Sequence, residues 1–133
     1  MKYSLSPGVY LFCMAIKEIK ARELCHLLDD NKEKLEIIDV RSPDEYEIIH
    51  IKGSKLIPLD EISVRMDEID WEKKVVFICR SGARSLIAAR MASKEKSGEA
   101  YNLGSGILGC YSLGKNKNLE VCDNEDLVKK YFS

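Results

Sequence analysis

The chain has 133 residues, of which 45% are hydrophobic and 32% are charged, and its formal net charge at pH 7 is −1. This length suits one domain with a hydrophobic core and is too short for two. A nearly neutral charge gives no general attraction to nucleic acid or to a membrane surface, and no apolar run approaches the roughly 18 residues that would span a bilayer. We therefore expect one domain with neither a nucleic-acid nor a membrane partner.

The cysteines indicate a reducing compartment and no metal site. Their number, five, is odd, and no C-x-x-C pair occurs, so they match neither a disulfide framework nor a zinc site. The apolar stretch Leu5–Ile16 is interrupted by Pro7 and Gly8 and lacks the small-residue cleavage site of a secretory signal. The sequence therefore predicts a cytoplasmic protein without a metal or an organic cofactor. The cysteines are Cys13, Cys25, Cys79, Cys110 and Cys122.

The domain is predicted to occupy residues 16–133, because residues 1–15 have no periodic pattern and are predicted to form a disordered extension. Within the domain, apolar runs alternate with amphipathic stretches, which is typical of an α/β fold with a parallel sheet. The predicted strands are Ile16–Ile19, Leu35–Val40, Leu56–Leu59, Val75–Ile78 and Glu99–Leu103. The predicted helices are Ala21–Asp29, Asp44–Ile49, Glu61–Asp70, one from Arg84, a turn at Ile107–Tyr111 and Asp123–Lys130. His50–Ser54 and Gly114–Asn118 are predicted to be a turn and a loop.

The stretch Lys73–Arg90 contains the strongest functional signal. Its apolar run Val75–Ile78 has no polar alternation, which suits a strand buried on both faces of a parallel sheet. Cys79 stands at the end of this run, and a short loop leads to the helix that begins at Arg84. Ligands of open α/β sheets bind at the carboxyl ends of the strands. Cys79 is therefore predicted to lie in a binding site.

The thiol of Cys79 is expected to ionise more readily than that of free cysteine. Backbone N–H groups of residues 80–84 can surround the sulfur, and the positive end of the following helix points toward it. Arg80 and Arg84 add two positive charges. Each of these groups favours the thiolate, so we expect a pKa below the free-cysteine value of about 8.5. The thiolate is the nucleophilic form, and the same ring of donors can hold an oxyanion or a terminal persulfide.

Asp39 and Arg41 lie at the end of the second predicted strand, directly before Ser42 and Pro43. An acid and a base at a strand end usually tie loops down, so a supporting role is predicted for both residues. Arg41 is placed either to pair with Glu45 or to brace a neighbouring loop.

Six short motifs resemble those of a single-domain rhodanese, in the order and spacing of that family. The resemblance covers about residues 16–133, and the motif Cys-Arg-Ser-Gly-x-Arg-Ser after a strand is much more specific than the others. The six motifs are Asp39-Val40-Arg41, Glu45-Tyr46, His50-Ile51-x-Gly53-Ser54, Ile57-Pro58-Leu59, Cys79-Arg80-Ser81-Gly82-Ala83-Arg84-Ser85 and Asn102-Leu103-x-x-Gly106-Ile107.

The resemblance implies a rhodanese-like three-layer fold, with a central, mainly parallel sheet flanked by helices, and a sulfurtransferase activity. Cys79 would take a sulfane sulfur from a donor such as thiosulfate, become a persulfide and pass the sulfur to a thiophilic acceptor. The implied partners are a small anionic sulfur donor and a thiol or cyanide acceptor, or a protein that donates or accepts sulfur. The loop that would cradle the outer sulfur consists of Arg80, Ser81, Gly82, Ala83 and Arg84, with both arginines steering the donor and with Ser85 as a supporting residue.

The chain departs from the family pattern outside this loop. Ile49 stands where many relatives have Gly, Lys52 stands where they often have Pro, and Ser105 replaces one glycine of a usual pair. Cys110 occupies a position where many relatives have Trp. These departures concern the packing around the pocket and leave the active loop intact.

Cys110 and Cys122 are most simply interpreted as thiols that take no part in the chemistry. The unusual cysteine at position 110 prompts an alternative hypothesis. In that hypothesis, one of these two thiols attacks a Cys79 persulfide to form an internal disulfide.

Two other functions compete with sulfur transfer. Phosphatases of the same overall fold need a loop one residue longer, with an Arg six positions after the nucleophile to clamp the phosphoryl oxygens. Here Arg84 comes five positions after Cys79 and position 85 is Ser, which disfavours hydrolysis of phosphate monoesters. A non-catalytic rhodanese-like module that binds a partner or senses redox state could dispense with the nucleophile, whereas Cys79 is present. The module remains the alternative function.

Overall fold

The computed structural model describes residues 16–30, 34–95, 99–114 and 117–133. The prediction of an extension over residues 1–15 lies outside these ranges. A sheet of five parallel strands forms the centre of the molecule. The five strands are β1 (Ile16–Ile19), β2 (Leu35–Asp39), β4 (Lys55–Leu56), β5 (Lys74–Ile78) and β6 (Ala100–Leu103). Their order across the sheet is β1-β6-β5-β2-β4. The predicted α/β class is confirmed.

Helices flank this sheet, as predicted. None of the helices in the described part of the chain is long and apolar enough to cross a membrane. The helices are α1 (Ala21–Asp30), α2 (Pro43–Ile48), α3 (Ile62–Arg65), α4 (Ala83–Glu95), α5 (Gly106–Ser112) and α6 (Glu125–Phe132).

The middle strand β5 explains why the fold has three layers. Val76 and Ile78 pack in one hydrophobic core, whereas Val75 and Phe77 pack in a second core on the opposite face of the sheet. All four side chains are completely buried. Because both faces are covered, β5 needs apolar residues at successive positions, which is the pattern read in the sequence. The strand delivers Cys79 to the carboxyl edge of the sheet.

A second, small sheet was not expected. β3 (Ile49–Ile51) pairs antiparallel with β7 (Leu119–Val121). The prediction of a turn over His50–Ser54 was therefore wrong at its first two residues, and β7 follows directly after the predicted loop. Strands of three residues are too short to show a period, and the partner strand lies far along the chain, so the pattern of the sequence could not reveal the pairing.

Two predicted elements are shorter than expected. The strand predicted over Leu56–Leu59 is confined to β4, although the N–H groups of Ile57 and Leu59 continue to bond to carbonyls at the end of β2. The helix predicted over Glu61–Asp70 is divided into a 3₁₀ turn at Leu59–Glu61, the helix α3 and a 3₁₀ turn at Met66–Glu68. Isoleucine, serine and valine in succession at 62–64 are weak helix formers, which agrees with the short α3.

The start of α5 is attached to the backbone of the active loop. The N–H of Ile107 donates to the Cys79 carbonyl at 2.9 Å, and that of Leu108 donates to the Arg80 carbonyl at 3.2 Å. Gly106 has a φ of +67°, and a Cβ added there would overlap the backbone carbonyl of Arg80. The close approach of α5 to the loop therefore requires glycine at position 106.

We predict that Gly106→Ala lowers the free energy of unfolding more than Gly53→Ala does. Gly53 also has a positive φ, +82°, but a Cβ there would meet no described atom within 4 Å. Backbone strain alone costs roughly 1–2 kcal/mol, and the overlap with Arg80 adds a further cost at position 106. Urea unfolding of both variants measures the difference. Equal losses of stability would contradict the proposed close contact between α5 and the loop.

Candidate active site

The sulfur of Cys79 lies at the bottom of the active loop, at the carboxyl end of β5. The residue is 1% exposed, and its Sγ accepts a hydrogen bond from the Gly82 N–H at 3.0 Å. Gly82 has a φ of +101°, and a Cβ there would overlap the carbonyl of Gly104. Glycine is thus required for the loop to turn its amide toward the sulfur.

A chain of buried polar side chains continues from the sulfur. Ser85 Oγ lies 3.3 Å from Cys79 Sγ and 2.6 Å from Asn102 Oδ1. The Asn102 amide nitrogen donates to the Gly82 carbonyl at 3.2 Å and to Glu18 Oε2 at 3.1 Å. Ser85 has one hydroxyl hydrogen for two acceptors. It can donate to Asn102 while Cys79 is a thiol and turn to the sulfur when the thiolate forms.

These contacts lower the pKa of the Cys79 thiol. Burial alone raises the pKa, but the hydrogen bond from the Ser85 hydroxyl and those from the backbone N–H groups of Ser85, Gly82 and Ser81 outweigh it. Donors that point at the sulfur favour the charged form. The site is therefore suited to hold a thiolate, or a persulfide anion in the same place.

Arg84 forms a two-point ion pair with Glu45. Arg84 Nη1 lies 2.8 Å from Oε1 of Glu45, and Nη2 lies 2.9 Å from Oε2. Glu45 belongs to α2, whose first turn is fixed by a capping box with Ser42. Hydrogen bonds from Arg84 lower the pKa of Glu45 to about 2, although burial opposes the shift. Glu45 is therefore ionised at neutral pH.

Tyr131, in the last helix α6, connects three charged side chains at this edge. Its hydroxyl accepts a hydrogen bond from Arg41 Nη1 at 3.1 Å and donates to Glu45. Its carbonyl accepts from Arg80 Nε at 3.1 Å, and its ring centroid is 5.6 Å from the Arg80 guanidinium carbon. The C-terminal helix thus fixes Arg80 directly and Arg84 through Glu45.

Asp39 and Arg41 form a buried ion pair beside the site. Their closest approach is 2.7 Å, both side chains are fully buried, and Arg41 Nη2 also donates to the Ile49 carbonyl at 2.6 Å. Arg41 contacts Glu45 through the backbone carbonyl of that residue, at 3.4 Å, rather than through its carboxylate. Arg41 therefore ties the end of β2 to α2 and β3, which is the bracing geometry considered from the sequence.

The structure brings together most of the residues proposed from the sequence. Cys79, Gly82 and Ser85 are in direct contact, whereas Ser81 and Ala83, the residue at which α4 begins, are exposed. No role was predicted from the sequence for Asn102 or Tyr131, which the structure brings to the site. Asn102 belongs to a motif of the resemblance, and its polar side chain at the end of a buried strand was a usable signal.

Cys110 and Cys79 lie in different hydrophobic cores. Cys110 is 3% exposed and packs in the core on the opposite face of the sheet from the one that contains Cys79. Burial raises the pKa of Cys110 to about 12, and an interaction with Cys25 adds to the shift. A role of Cys110 or Cys122 in an internal disulfide stays a hypothesis. Within the described ranges, no group of three or more His, Cys, Asp or Glu residues could hold a metal ion.

Comparison with known families decides the assignment. Residues 20–112 match the family of rhodanese-like domains. The chain belongs to this family. The active loop and four strands of the central sheet lie within the matched rhodanese-like region, whereas β1 precedes it and β7 and α6, with Tyr131, follow it.

Relatives of this rhodanese-like domain are named for sulfur chemistry. It is 40% identical over 78 residues to the putative sulfur carrier protein YrkF of Bacillus subtilis, a match that covers 59% of this chain and 42% of that protein. It is 34% identical over 93 residues to a sulfurtransferase of Allochromatium vinosum, with 70% of this chain and 86% of that protein covered. The crystal structure of a rhodanese-like domain protein from Staphylococcus aureus superposes with a TM-score of 0.68 at 25% identity, covering 80% of this chain and 99% of that one.

The chain spans only part of some relatives, namely 42% of YrkF and 59% of the uncharacterized protein YqhL of Bacillus subtilis. The match over residues 20–112 shows membership of the family. The activity, substrates and partners of the whole protein are proposals.

We predict that Ser85→Ala raises the pKa of Cys79, because the thiolate loses a hydrogen-bond donor. Alkylation of Cys79 by iodoacetamide at pH 7, followed by peptide mass spectrometry, should slow by roughly three- to tenfold. Ser93→Ala is the matched control, since Ser93 is buried on the same helix and its hydroxyl has no partner among the described residues. Alkylation of Ser85→Ala at the parent rate would show that the Ser85 hydroxyl does not stabilise the thiolate.

Proposed function

We propose that the chain is a sulfurtransferase that carries a sulfane sulfur as a persulfide on Cys79. The observation that carries the proposal is the Cys79 sulfur at the carboxyl end of β5, with the Gly82 N–H donating to it at 3.0 Å. Hydrogen bonds that lower the pKa of this thiol favour the thiolate, which is the nucleophilic form. The names of the relatives, a sulfurtransferase and a putative sulfur carrier protein, support the same chemistry.

In the first step, the Cys79 thiolate attacks the outer sulfur of the donor. With thiosulfate, a bond forms between Cys79 Sγ and that sulfur, the sulfur–sulfur bond of the donor breaks, and sulfite leaves with the electron pair. Charge balances, because a thiolate and a dianion become a persulfide anion and a sulfite dianion. No proton moves, so no general base is needed. Hydrolysis of a phosphate monoester, by contrast, would need a general base.

In the second step, a thiophilic acceptor attacks the outer sulfur of the persulfide and releases the Cys79 thiolate. Cyanide, a small thiol or a sulfur-accepting protein would serve. The loop of Arg80, Ser81, Gly82, Ala83 and Arg84 stabilises the persulfide through its amides, and Ser85 supports it from the helix. Asp39 and Arg41 hold the neighbouring strand end. We also propose a reducing compartment, the cytoplasm, because the carrier thiol must stay reduced between cycles.

The test is the intact mass of the protein after incubation with thiosulfate. The parent should gain one sulfur atom, which cyanide should remove, and Cys79→Ser should gain none. Cys122→Ser, which changes a partly exposed cysteine outside the active loop, should gain sulfur like the parent. If the parent gains no sulfur from thiosulfate or from glutathione persulfide, the enzyme proposal fails, and a module that binds a partner or senses redox state becomes the better account.

A further inference from the structure

The ion pair between Arg84 and Glu45 changes the charge that a sulfur donor meets. Arg84 is the last residue of the active loop, and its side chain is 39% exposed, whereas that of Glu45 is 19% exposed. Arg84 directly precedes Ser85, whose hydroxyl lies 3.3 Å from the Cys79 sulfur. Hydrogen bonds to Glu45 raise the pKa of Arg84 most, burial lowers it, and the charges of Glu45 and Cys79 raise it further. A carboxylate thus cancels the charge that Arg84 brings to the site.

Glu45 is held in this position from three sides. Besides Arg84, the Tyr131 hydroxyl donates to Oε2, and the Ser42 N–H donates to Oε1 at 3.2 Å as part of the capping box. An arriving anion would have to displace a carboxylate that is already ionised, fully hydrogen-bonded and attached to a helix start. Two-point pairs of this geometry are among the stronger ion pairs of proteins.

The other two arginines of the site do not replace the attraction for an anion that Arg84 loses to Glu45. Arg41 is neutralised by Asp39 inside the protein. Arg80 has no carboxylate partner in the part of the chain that the structure describes, but its Nε is bound to the Tyr131 carbonyl. Arg84 lines a groove of about 430 Å³ together with two carboxylates, Asp60 and Glu61. Two of the three arginine charges at the site are therefore neutralised, and the groove beside Arg84 carries further negative charge.

We propose that Glu45 is a specificity-determining residue, which by neutralising Arg84 makes the site select sulfur donors of low charge over the thiosulfate dianion. The preferred class is then a persulfide carried on a thiol, or another donor with a single charge. This inference rests on the proposed function, because it concerns the donor in the first sulfur-transfer step. It adds to that function a residue outside the active loop that sets the donor class.

The experiment compares two donors that differ mainly in charge. Thiosulfate and methanethiosulfonate both present a sulfane sulfur on a sulfonyl group, and they carry two charges and one charge, respectively. Transfer from methanethiosulfonate forms the same Cys79 persulfide and releases methanesulfinate. With cyanide as the common acceptor, kcat/KM for each donor is measured in the parent and in Glu45→Gln. Glutamine keeps the length of the side chain, an oxygen for Arg84 and the capping box.

Glu45→Gln should raise kcat/KM for thiosulfate by about tenfold and for methanethiosulfonate by about threefold, because the Coulomb energy is proportional to the charge of the donor. The ratio between the donors therefore shifts about threefold toward thiosulfate, and added salt should reduce the shift. Glu47→Gln is the matched control, since Glu47 is exposed on the same helix. It should leave the ratio unchanged.

A double variant assigns the effect to Arg84. Glu45→Gln combined with Arg84→Gln should lose the gain for thiosulfate, because the uncompensated charge is gone. An unchanged or lower ratio in Glu45→Gln, in a protein that still gains sulfur on Cys79, would overturn this inference and leave the proposed function standing. A gain that persists in the double variant would also overturn it. No sulfur on Cys79 from either donor would overturn both.

Discussion

The hydrogen bond from the Gly82 amide to the Cys79 sulfur is the contact on which the site depends. It exists because Gly82 adopts a φ of +101° and packs against the backbone of Gly104, where any side chain would overlap a carbonyl. The start of α5, three residues further along, also holds the loop, through the N–H of Ile107 on the Cys79 carbonyl. The loop is thus held by backbone contacts to one neighbouring segment, residues 104–108. Its shape is fixed before a donor arrives, which lowers the reorganisation needed in the reaction.

Two of the three arginines around this loop are paired with carboxylates. Asp39 neutralises Arg41 in the interior, and Glu45 neutralises Arg84 at the surface. Hydrogen bonds to the sulfur, rather than a net positive field, therefore account for the lowered pKa of Cys79. The C-terminal helix contributes to this arrangement through Tyr131, although it follows the region that matches the rhodanese-like family. A segment outside the matched region thus supports the chemistry inside it.

The sequence predicted the features that arise between near neighbours in the chain. The buried strand before Cys79, the glycine in its loop and the helix from residue 83 or 84 are all visible in one stretch. Contacts between distant residues could not be predicted, because Tyr131 and Glu45 are 86 residues apart and Arg84 and Glu45 are 39 apart. The same limit hid the pairing of β3 with β7. Arg84 was expected to add a positive charge, and only its folded neighbour Glu45 shows that this charge is compensated.

The central claim is that backbone and hydroxyl donors hold Cys79 as a thiolate. The most direct measurement is the pH titration of the thiolate absorbance in the ultraviolet, taken as the difference between the parent and Cys79→Ser. We predict a pKa of Cys79 below that of free cysteine, about 8.5. We also predict that it depends little on salt, because short hydrogen bonds in a buried site are screened less than exposed charges. A pKa at or above the free-cysteine value would contradict the account, and a pKa that rises strongly with salt would assign the effect to the arginines instead.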